Sequence, residues 1–574
     1  MQLIINHAYW TLLLLPRIVE TRVITSRSDS NECRSIPGDE SWPTLSEWNA
    51  LNKTVNGQLI ATVPIAAPCH ESFNNVSTYD AEQCAALRNS WFYPETHLPS
   101  SSSPMAYTYS NDTCNPFLAP TTPCTIGYQV AYAINVTTAA HIQAGLQFAK
   151  AHNVRLAIRN TGHDYLGRST GAHALALWTH NLKTIEKITY EGAAYQGSAV
   201  KIGAGVHATD AYTFASSQNL QVVAGNCPTV GLAGGYSQGG GHGPLASKYG
   251  LGADQIVEAE IIKADGEIVT ANSVTNSDLF WAVRGGGGGN YGVVLSITVK
   301  AYPDTYASFG LITVNDNGTN TDTIYKFLAS FLTETVPGLV DAGVYALFLM
   351  TPVGFQLTPA FAPGLHQAEL DKLLQPAISE LNTLNLEYEY TLTEETTFLA
   401  AYESLPAKWN VSDYNTGGRL VARDVVFSKT DEVIQAIRNI GSQTLFSGVC
   451  FNVSNSVSSP DDNAVNPFFR ESLFNAFFGV PVNYTDDEAN RETLDLITNV
   501  LTPPLAALTP DGGGAYMNEA DSQEPDFQSV FYGTHYSKLL SIKNKYDPDS
   551  LFYAKTAVGS EAWAEQLDGR LCRA

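Results

Sequence analysis

The chain carries two glycine-rich stretches, RNTGHDYLGRS at residues 159–169 and GNCPTVGLAGGYSQGGGHG at residues 225–243. Glycine lets the backbone approach a ligand closely, because no Cβ stands in the way. Successive backbone N–H groups in such loops can form a concave nest for phosphate oxygens without a helix N-terminus. The two stretches therefore predict that loops hold a diphosphate-bearing ligand.

Helix and strand patterns surround the two stretches. Residues 136–153 have the apolar spacing of a helix, and VRLAIRN at residues 154–160 alternates like a half-buried strand. IVEAEIIKADGEIVT at residues 256–270 predicts a hairpin that turns at Asp265-Gly266. We therefore expect an α+β domain up to about residue 302.

At 574 residues the chain is long enough for more than one core. After residue 302 the glycine runs end, and amphipathic helix patterns alternate with aromatic strand patterns such as VYALFLM at residues 344–350. These patterns predict a second α+β domain over residues 303–500. Closely spaced sequence motifs occur again after Gly512. Residues 501–574 are therefore expected to complete the first domain, which comprises residues 46–302.

Charge and hydropathy exclude two classes of partner. The 56 acidic and 32 basic residues give a net charge of −24, which disfavours nucleic acid and anionic membrane surfaces. The apolar run Ala8–Pro16 is too short to span a bilayer. It could be the core of a signal peptide, but no Lys or Arg precedes it and no clear cleavage site follows. Residues 1–45 are thus interpreted as a possible signal peptide followed by an exposed polar arm, which begins at residue 24.

Cysteines and glycosylation sequons favour secretion. Among the 8 cysteines, Cys69 with Cys84 and Cys114 with Cys124 are spaced as in short disulfide loops. The acceptor asparagines for N-glycans are Asn52, Asn75, Asn111, Asn135, Asn317, Asn410, Asn452 and Asn483. We predict a secreted protein that carries N-glycans.

Two further segments match known sequence motifs, but the secondary structure predicted around them is not the one that these motifs require. GGGNYG at residues 287–292 fits the dinucleotide pattern G-x-G-x-x-G, but a helical segment precedes it and a β-branched run follows, the reverse of the required order. GYSQG at residues 235–239 fits the G-x-S-x-G elbow of serine hydrolases, yet the glycines around it disfavour the regular elements that the elbow needs. A secreted serine hydrolase that uses Ser237 remains an alternative function.

Together with GGGGGNYGVV at residues 285–294 and KYDPDSLFYAKTAVGSE at residues 545–561, the two glycine stretches resemble a known family. They are similar to the FAD-linked oxidases of the vanillyl-alcohol oxidase superfamily, in the berberine-bridge-enzyme-like branch and closest to its fungal secreted type. The resemblance covers about residues 115–302 and 516–563. It implies an α+β protein with a two-part PCMH-type FAD-binding domain, whose core spans about residues 120–302, and an inserted α+β substrate-binding domain.

The resemblance also implies that FAD is bound through two covalent bonds. His163 would bond the flavin 8α-methyl carbon and Cys227 would bond ring position C6, since both atoms require a nucleophile. Nearby backbone N–H groups are expected to help ionise Cys227. The alternatives are a disulfide for Cys227 and an ordinary loop hydrogen bond for His163. If Cys227 bonds the flavin, at least one of the seven other cysteines stays unpaired.

A wider set of residues is expected by the same resemblance to surround the FAD diphosphate and ring. For single glycines in this set, tight turns are the alternative, and His242 could equally be an ordinary loop residue. No metal ligand is predicted. The set comprises Arg159, Asn160, Thr161, Gly162, Asp164, Thr229, Gly231, Gly234, Gly235, Gly239, Gly240, His242, Gly243, Val257, Trp281, Asn290, Gly292, Val293 and Asn518.

The implied reaction is hydride transfer from an alcohol, carbohydrate or secondary-metabolite substrate to flavin N5, with O2 as acceptor and H2O2 as product. Plant relatives have a Tyr-x-Asn-Tyr segment, whose second tyrosine is replaced here by Glu519 in YMNE at residues 516–519. Glu519 could act as the base with its pKa raised by burial, and Tyr516 could be its donor or the base itself. The alternatives are a structural carboxylate and a packing aromatic. A non-catalytic binding protein that keeps the flavin fold is the other competing hypothesis.

Overall fold

The computed structural model describes residues 33–111, 113–405, 410–454 and 462–574. The signal-peptide interpretation of the N-terminus lies outside these residues. Within them, no helix is long and apolar enough to cross a membrane. The chain forms mixed helices and sheets, as the sequence patterns predict.

Two sheets form the part of the fold that carries the glycine-rich stretches. The smaller one has the strand order Leu59–Ala61, Tyr132–Asn135, Leu175–Trp178, Leu156–Arg159. The larger one is antiparallel, with the order Ile268–Asn272, Ile256–Ile262, Val293–Lys300, Gln196–Gly203, Ile185–Glu191. In the smaller sheet the last three strands are parallel. The stretch 159–169 therefore begins where a buried parallel strand ends, an edge at which ligands commonly bind.

Local patterns account for several of these elements. The helix Ala139–Ala151 buries Ile142, Leu146 and Ala149 against the smaller sheet, as its apolar spacing predicts. Ile256–Ile262 and Ile268–Asn272 pair as the expected hairpin. A helix, Ser277–Val283, precedes the GGGNYG motif and a strand, Val293–Lys300, follows it, so the motif lacks the order of a dinucleotide-binding turn.

Residues 303–500 contribute a seven-stranded antiparallel sheet. Its strand order is Glu389–Glu395, Ala307–Asn315, Gly354–Pro363, Tyr345–Thr351, Leu445–Cys450, Ser472–Pro481, Tyr414–Ala422. One face packs against the helices Thr321–Ser330, Gln367–Thr383 and Thr430–Gly441 in a large apolar core. Because side chains alternate along a strand, the other face is left for the rest of the molecule.

The segment after residue 512 returns to the first two sheets. Phe552 pairs with Leu156 in a parallel bridge, and the amide of Asn518 donates to the carbonyl of Gly235 at 2.8 Å. Short antiparallel pairs complete the sheet structure: Ser72–Phe73 with Val76–Ser77, Leu220–Gln221 with Tyr302–Pro303, and Trp563–Glu565 with Leu571–Arg573.

The remaining helical segments cover the sheets and connect them. The α-helices are Leu45–Thr54, Ala81–Ser90, Pro94–His97, Ala208–Ser217, Ala246–Tyr249, Gly252–Gln255, Val336–Asp341, Phe398–Glu403, Arg423–Ser428, Asp487–Leu496, Thr502–Ala506, Phe527–Tyr532 and Tyr536–Tyr546. π-Helical turns occur at Leu232–Tyr236, Phe331–Thr335 and Ile497–Leu501.

Disulfides join Cys69 to Cys84 and Cys114 to Cys124, as their spacing predicts. A third disulfide joins Cys33 to Cys572. Cys33 and Ser35 are buried, and Ser35 pairs with Val154 beside the smaller sheet. The expectation of an exposed arm from residue 24 to 45 is therefore wrong for residues 33–35, because the disulfide and this pairing hold them against the domain, whereas residues 37, 38, 40, 41, 44 and 45 are exposed as predicted.

Candidate active site

A cavity of about 920 Å³ lies between the glycine-rich loops and the seven-stranded sheet. Its size is near the upper end for small-molecule sites in proteins, which suits a large ligand. The loops at residues 160–169 and 225–242 line one side, with Gly288, Gly289 and Gly292 beside them. Strands of the seven-stranded sheet line the other side.

His163 and Cys227 both line this cavity, and both side chains lie close to the same hydroxyl group. The Thr229 hydroxyl lies 2.7 Å from Nε2 of His163 and 3.7 Å from Sγ of Cys227. Burial, with smaller contributions from nearby His207, His97 and Arg159, lowers the pKa of His163 to about 3. The imidazole is therefore neutral at mild pH, which is the state that a nucleophile requires.

The Cys227 thiol is in a different electrostatic state from the one expected. Burial raises its pKa above the ordinary value, and the hydrogen bonds with Thr229 and the N–H of Val230 only partly oppose that effect. Backbone N–H groups do favour the thiolate of Cys227, as expected, but desolvation of the thiolate outweighs them and raises the pKa overall. Cys227 and Cys450 are the two cysteines of the described residues that form no disulfide.

Several of the loop residues expected around FAD line the cavity. They are Asn160, Thr161, Gly162, Asp164, Gly231, Gly234, Gly235, His242, Gly292 and Asn518, together with His163 and Cys227. A Cβ added at Gly231 or Gly234 would meet the Asn160 side chain at 2.9 Å. A Cβ at Gly235 would meet only the amide oxygen of Asn518, at 3.9 Å, and would otherwise stand free. These glycines keep the cavity wall open at the backbone level.

Other expected residues lie behind that wall. Arg159, Thr229, Gly239, Gly240, Gly243, Asn290 and Val293 are buried without lining the cavity. Thr229 still reaches it through its bond to His163, whereas the guanidinium of Arg159 donates to the carbonyl of Ser103 at 2.6 Å.

Val257 and Trp281 also do not line the cavity, and their expected contact with FAD stays a prediction. Trp281 lies on the helix Ser277–Val283, where its ring packs against Lys538 and His535. Val257 is buried on a strand of the larger sheet, and its carbonyl accepts a hydrogen bond from Tyr190 at 3.2 Å. Helix and sheet packing, which the loop motif does not describe, determines both positions.

Glu519 lies in the cavity as part of a hydrogen-bonded group. Nε2 of His242 lies 3.1 and 3.0 Å from the two carboxylate oxygens, and the Asn475 amide donates to Oε2 at 2.7 Å. Nδ1 of His242 is buried without a hydrogen-bond partner. A proton on Nδ1 would be an unsatisfied donor, so this arrangement favours a neutral imidazole that donates from Nε2 to an ionised Glu519.

Tyr516 also lines the cavity, but it is a poor candidate for the base itself. Burial, followed by the charge of Glu519, raises its pKa well above the ordinary value. Its hydroxyl accepts a hydrogen bond from the Asn518 amide at 2.8 Å, and its ring meets His242 edge-on at 5.3 Å. A phenolate at this position would be strongly disfavoured near neutral pH.

Comparison with known proteins identifies the family. A family described as FAD binding domain matches residues 130–272, and one described as Berberine and berberine like matches residues 515–559. FAD-linked oxidoreductase sor8 from Hypocrea jecorina is 44% identical over 551 residues, covering 96% of this chain and 95% of the relative. The chain belongs to the VAO-type FAD-linked oxidoreductases.

Solved structures of the VAO-type flavoproteins agree with this assignment. The flavoprotein MtVAO615 from Myceliophthora thermophila C1 superimposes with a TM-score of 0.89 at 37% identity, covering 94% of this chain and all of the other. A glucooligosaccharide oxidase from Acremonium strictum shares the fold at a TM-score of 0.61 and 20% identity, over 76% of this chain and 92% of the other. The α+β fold is therefore that of VAO-type flavoproteins with a PCMH-type FAD-binding domain.

The cavity of this VAO-type oxidoreductase fits FAD by its own geometry. Its volume is sufficient, its glycine wall is open, and Oδ1 of the cavity residue Asn160 is buried without a hydrogen-bond partner. These features suit a ligand that carries a diphosphate and many polar groups. FAD is thus the cofactor that both the family and the cavity support.

The hydrolase alternative does not survive in this fold. The Ser237 hydroxyl is buried, lies outside the cavity lining and donates to the carbonyl of Leu232 at 2.7 Å. The π-helical turn Leu232–Tyr236 leads into it, but the backbone at Gly234 is non-helical, so the regular strand that a nucleophile elbow needs does not precede Ser237. Since the turn directs the hydroxyl into the backbone, Ser237 is no nucleophile.

Sequence reasoning missed several residues of the site. Asn475 lies on a strand of the seven-stranded sheet, and no local pattern marks it. Tyr165 and Arg168 line the cavity from within the stretch 159–169, where their neighbours were already candidates. Asp413 lines the cavity from the loop before the strand Tyr414–Ala422.

Proposed function

We propose that the protein is a bicovalent flavin oxidase that removes a hydride from an alcohol-like substrate. The observation that carries this proposal is that the buried Thr229 hydroxyl lies 2.7 Å from His163 Nε2 and 3.7 Å from Cys227 Sγ, and that both of these side chains line the cavity that fits FAD. The Acremonium strictum relative, which shares the fold, is described as holding a 6-S-cysteinyl, 8α-N1-histidyl FAD. Its description supports two anchors of the same residue types.

The tautomer of His163 determines which nitrogen can form the bond. If Nε2–H donates to Thr229, Nδ1 keeps its lone pair and is the nucleophile. The lowered pKa, about 3, keeps that lone pair free of a proton at mild pH. Cys227 is a neutral thiol in this environment, so its attachment requires loss of the thiol proton as the flavin binds. Each covalent bond would replace one C–H bond of the flavin and leave two electrons on the ring, which O2, the proposed acceptor, would remove.

Bound FAD would supply the hydride acceptor, and the chain would remove the hydroxyl proton of the substrate. We assign proton removal to Glu519, which lines the cavity as a carboxylate held by His242 and Asn475. Two fixed donors orient the carboxylate and leave lone pairs for a substrate hydroxyl. Tyr516 then shapes the site as a neutral aromatic. Oxygen is the proposed final acceptor, which gives hydrogen peroxide.

Acid precipitation tests the covalent assignment. The purified protein should keep its yellow colour in the acid pellet, and replacing either His163 or Cys227 by alanine should leave it bonded once. The double variant should release all the colour into the supernatant, whereas Cys450→Ala should behave like the parent. Colour in the supernatant of the parent protein would refute covalent attachment.

A peroxide assay separates the oxidase from a non-catalytic flavin protein. We expect peroxide from oxygen and an alcohol substrate, with anaerobic bleaching of the flavin by the same substrate. A yellow protein that no alcohol bleaches would favour the binding-protein hypothesis.

Secretion with N-glycans is part of the proposal, supported by three disulfides and by exposed sequon asparagines such as Asn75 and Asn317. A mass decrease on enzymatic removal of N-glycans from protein collected in the culture medium would test it. Protein retained in the cells with no such decrease would contradict it.

A further inference from the structure

The cavity wall opposite the glycine loops is one face of the seven-stranded sheet. On the strand Tyr345–Thr351, Phe348 and Met350 pack among the helices, whereas Leu347 and Leu349 line the cavity. The strand Leu445–Cys450 alternates in the same way. Since successive side chains point to opposite faces, alternate residues of these strands determine what the cavity offers a substrate.

This wall is uncharged and mainly apolar. Besides the leucines of the central strand, Leu445, Val449, Phe361 and Phe477 face the cavity. The polar side chains that the strands place on the wall are all neutral: Tyr345, Gln356, Thr358, Tyr414, Thr416 and Ser447. Within the described residues, the seven strands place no lysine, arginine, aspartate or glutamate on the cavity side.

The charged groups of the cavity leave no free cation for a substrate. Arg168 is the one Lys or Arg among the described lining residues, and its Nε and Nη2 donate to Asp164 at 2.7 and 2.5 Å. Its Nη2 also lies 3.0 Å from the amide oxygen of Asn518. Apart from Asp164 and Glu519, the remaining charged side chains are two carboxylates, Glu403 and Asp413. The diphosphate of FAD would add further negative charge.

We propose that the substrate is an uncharged or cationic alcohol with a largely apolar skeleton, and not an anion. This inference rests on the proposed function. A carboxylate or phosphate on the substrate would lose hydration beside an uncharged wall without a cationic partner.

Anaerobic reduction of the holoenzyme tests the proposal. The probes are neutral aliphatic, alicyclic and aromatic alcohols including cinnamyl alcohol, its 4-carboxylated analogue, and an amine-bearing aromatic alcohol. We expect at least one neutral or amine-bearing apolar alcohol to bleach the flavin, and cinnamyl alcohol to bleach it at least about tenfold faster than the carboxylated analogue. Equal or faster bleaching by the anion overturns the proposal. A bound flavin that no alcohol bleaches refutes the proposed function instead.

A charge placed on the wall provides the matched variant. Leu349→Arg should lower the ratio of the flavin-bleaching rate with cinnamyl alcohol to the rate with its carboxylated analogue, because the arginine supplies the missing cation. Val353→Arg places the same charge at a turn residue that is 68% exposed and outside the cavity, and it should leave the ratio unchanged. If Leu349→Arg does not fold, Leu445→Arg tests the same wall. An unchanged ratio in the folded, flavin-loaded wall variant contradicts the proposal, whereas absence of covalent flavin refutes the proposed function instead.

Discussion

At the scale of single residues, burial and hydrogen bonding determine what each side chain can do. His163 is a neutral imidazole and Cys227 a neutral thiol in a shared pocket, and Tyr516 is held as a phenol. For Glu519, hydrogen bonding is decisive, because the side chains of His242 and Asn475 hold its carboxylate at the cavity surface. The residue types at positions 163, 227 and 519 could be selected from sequence, but these partners could not.

Glu519→Gln should remove the proposed base while keeping the size of the side chain. We expect the rate of anaerobic flavin reduction to fall by about 10²–10⁴-fold, the usual contribution of general base catalysis. The flavin should remain bound with unchanged mass. Glu561→Gln, at an exposed carboxylate of the C-terminal segment, is the control and should reduce at the parental rate. Parental activity in Glu519→Gln would require another base.

Asp413 should make cation binding depend on pH. Burial raises its pKa to about 6, although hydrogen bonds from its own N–H and from Asn410 oppose this. Above that value the carboxylate is charged, so KM for an amine-bearing alcohol should fall as the pH rises from about 5 to 7. A neutral alcohol should show no such change.

Asp413→Asn is the variant that isolates this effect. The nearby phenols Tyr165, Tyr414 and Tyr484 stay neutral over this range, because burial raises the pKa of each. Glu403, the other free carboxylate of the cavity, stays in place. A pH dependence that persists in Asp413→Asn would assign it to another group.

At the scale of elements, local patterns predicted individual helices and strands but could not predict their pairing. The hairpin at residues 256–272 follows from alternation and an Asp-Gly turn, both of which are local. The order of the seven-stranded sheet depends on contacts between strands far apart in sequence, such as Tyr345–Thr351 with Leu445–Cys450. Asn475 joins the site only through that order, so a single sequence could not reveal it.

A buried ion pair connects the helix Gly252–Gln255 to the segment before the strand Ser472–Pro481. The two carboxylate oxygens of Asp254 accept hydrogen bonds from Arg470 at 2.9 and 2.8 Å, with further bonds from Asn463 and the N–H of Leu251. Burial alone would raise the pKa of Asp254, but these bonds and the charge of Arg470 hold it below the ordinary value of 3.8.

Asp254→Asn should therefore lower the free energy of unfolding by about 3–5 kcal/mol, because Arg470 loses its buried partner. Since the folded-state pKa is depressed, the stabilisation is present above pH 3.8 and is lost as the pH falls through the folded-state value. Urea unfolding at pH 7 and in acid measures both effects. The exposed Asp265→Asn should be close to neutral, and equal stability of Asp254→Asn with the parent would contradict the argument.

At the scale of the whole molecule, the ends of the described chain are joined by the disulfide Cys33–Cys572, 539 residues apart in sequence. The two short-range disulfides could be predicted from the spacing of their cysteines. The third could not, because no local sequence pattern links its two cysteines. It also explains why residues 33–35 lie against the domain.

Replacing Cys33 and Cys572 together by serine should lower the free energy of unfolding by about 2–5 kcal/mol. The Cys69–Cys84 disulfide closes a loop of only 15 residues, so in the chain-entropy description replacing both of these cysteines by serine should cause a smaller loss of stability. Denaturant unfolding of both variants in the absence of reductant gives the comparison. No loss for the long-range pair would show that the disulfide does not constrain the unfolded chain.

Peptide mapping of the trypsin-digested protein measures the central claim most directly. Trypsin should release residues 160–168, which carry His163, and residues 202–248, which carry Cys227. We expect the two peptides to appear as one species, joined through the mass of a single flavin cofactor. Two separate peptides with unmodified masses would contradict the account.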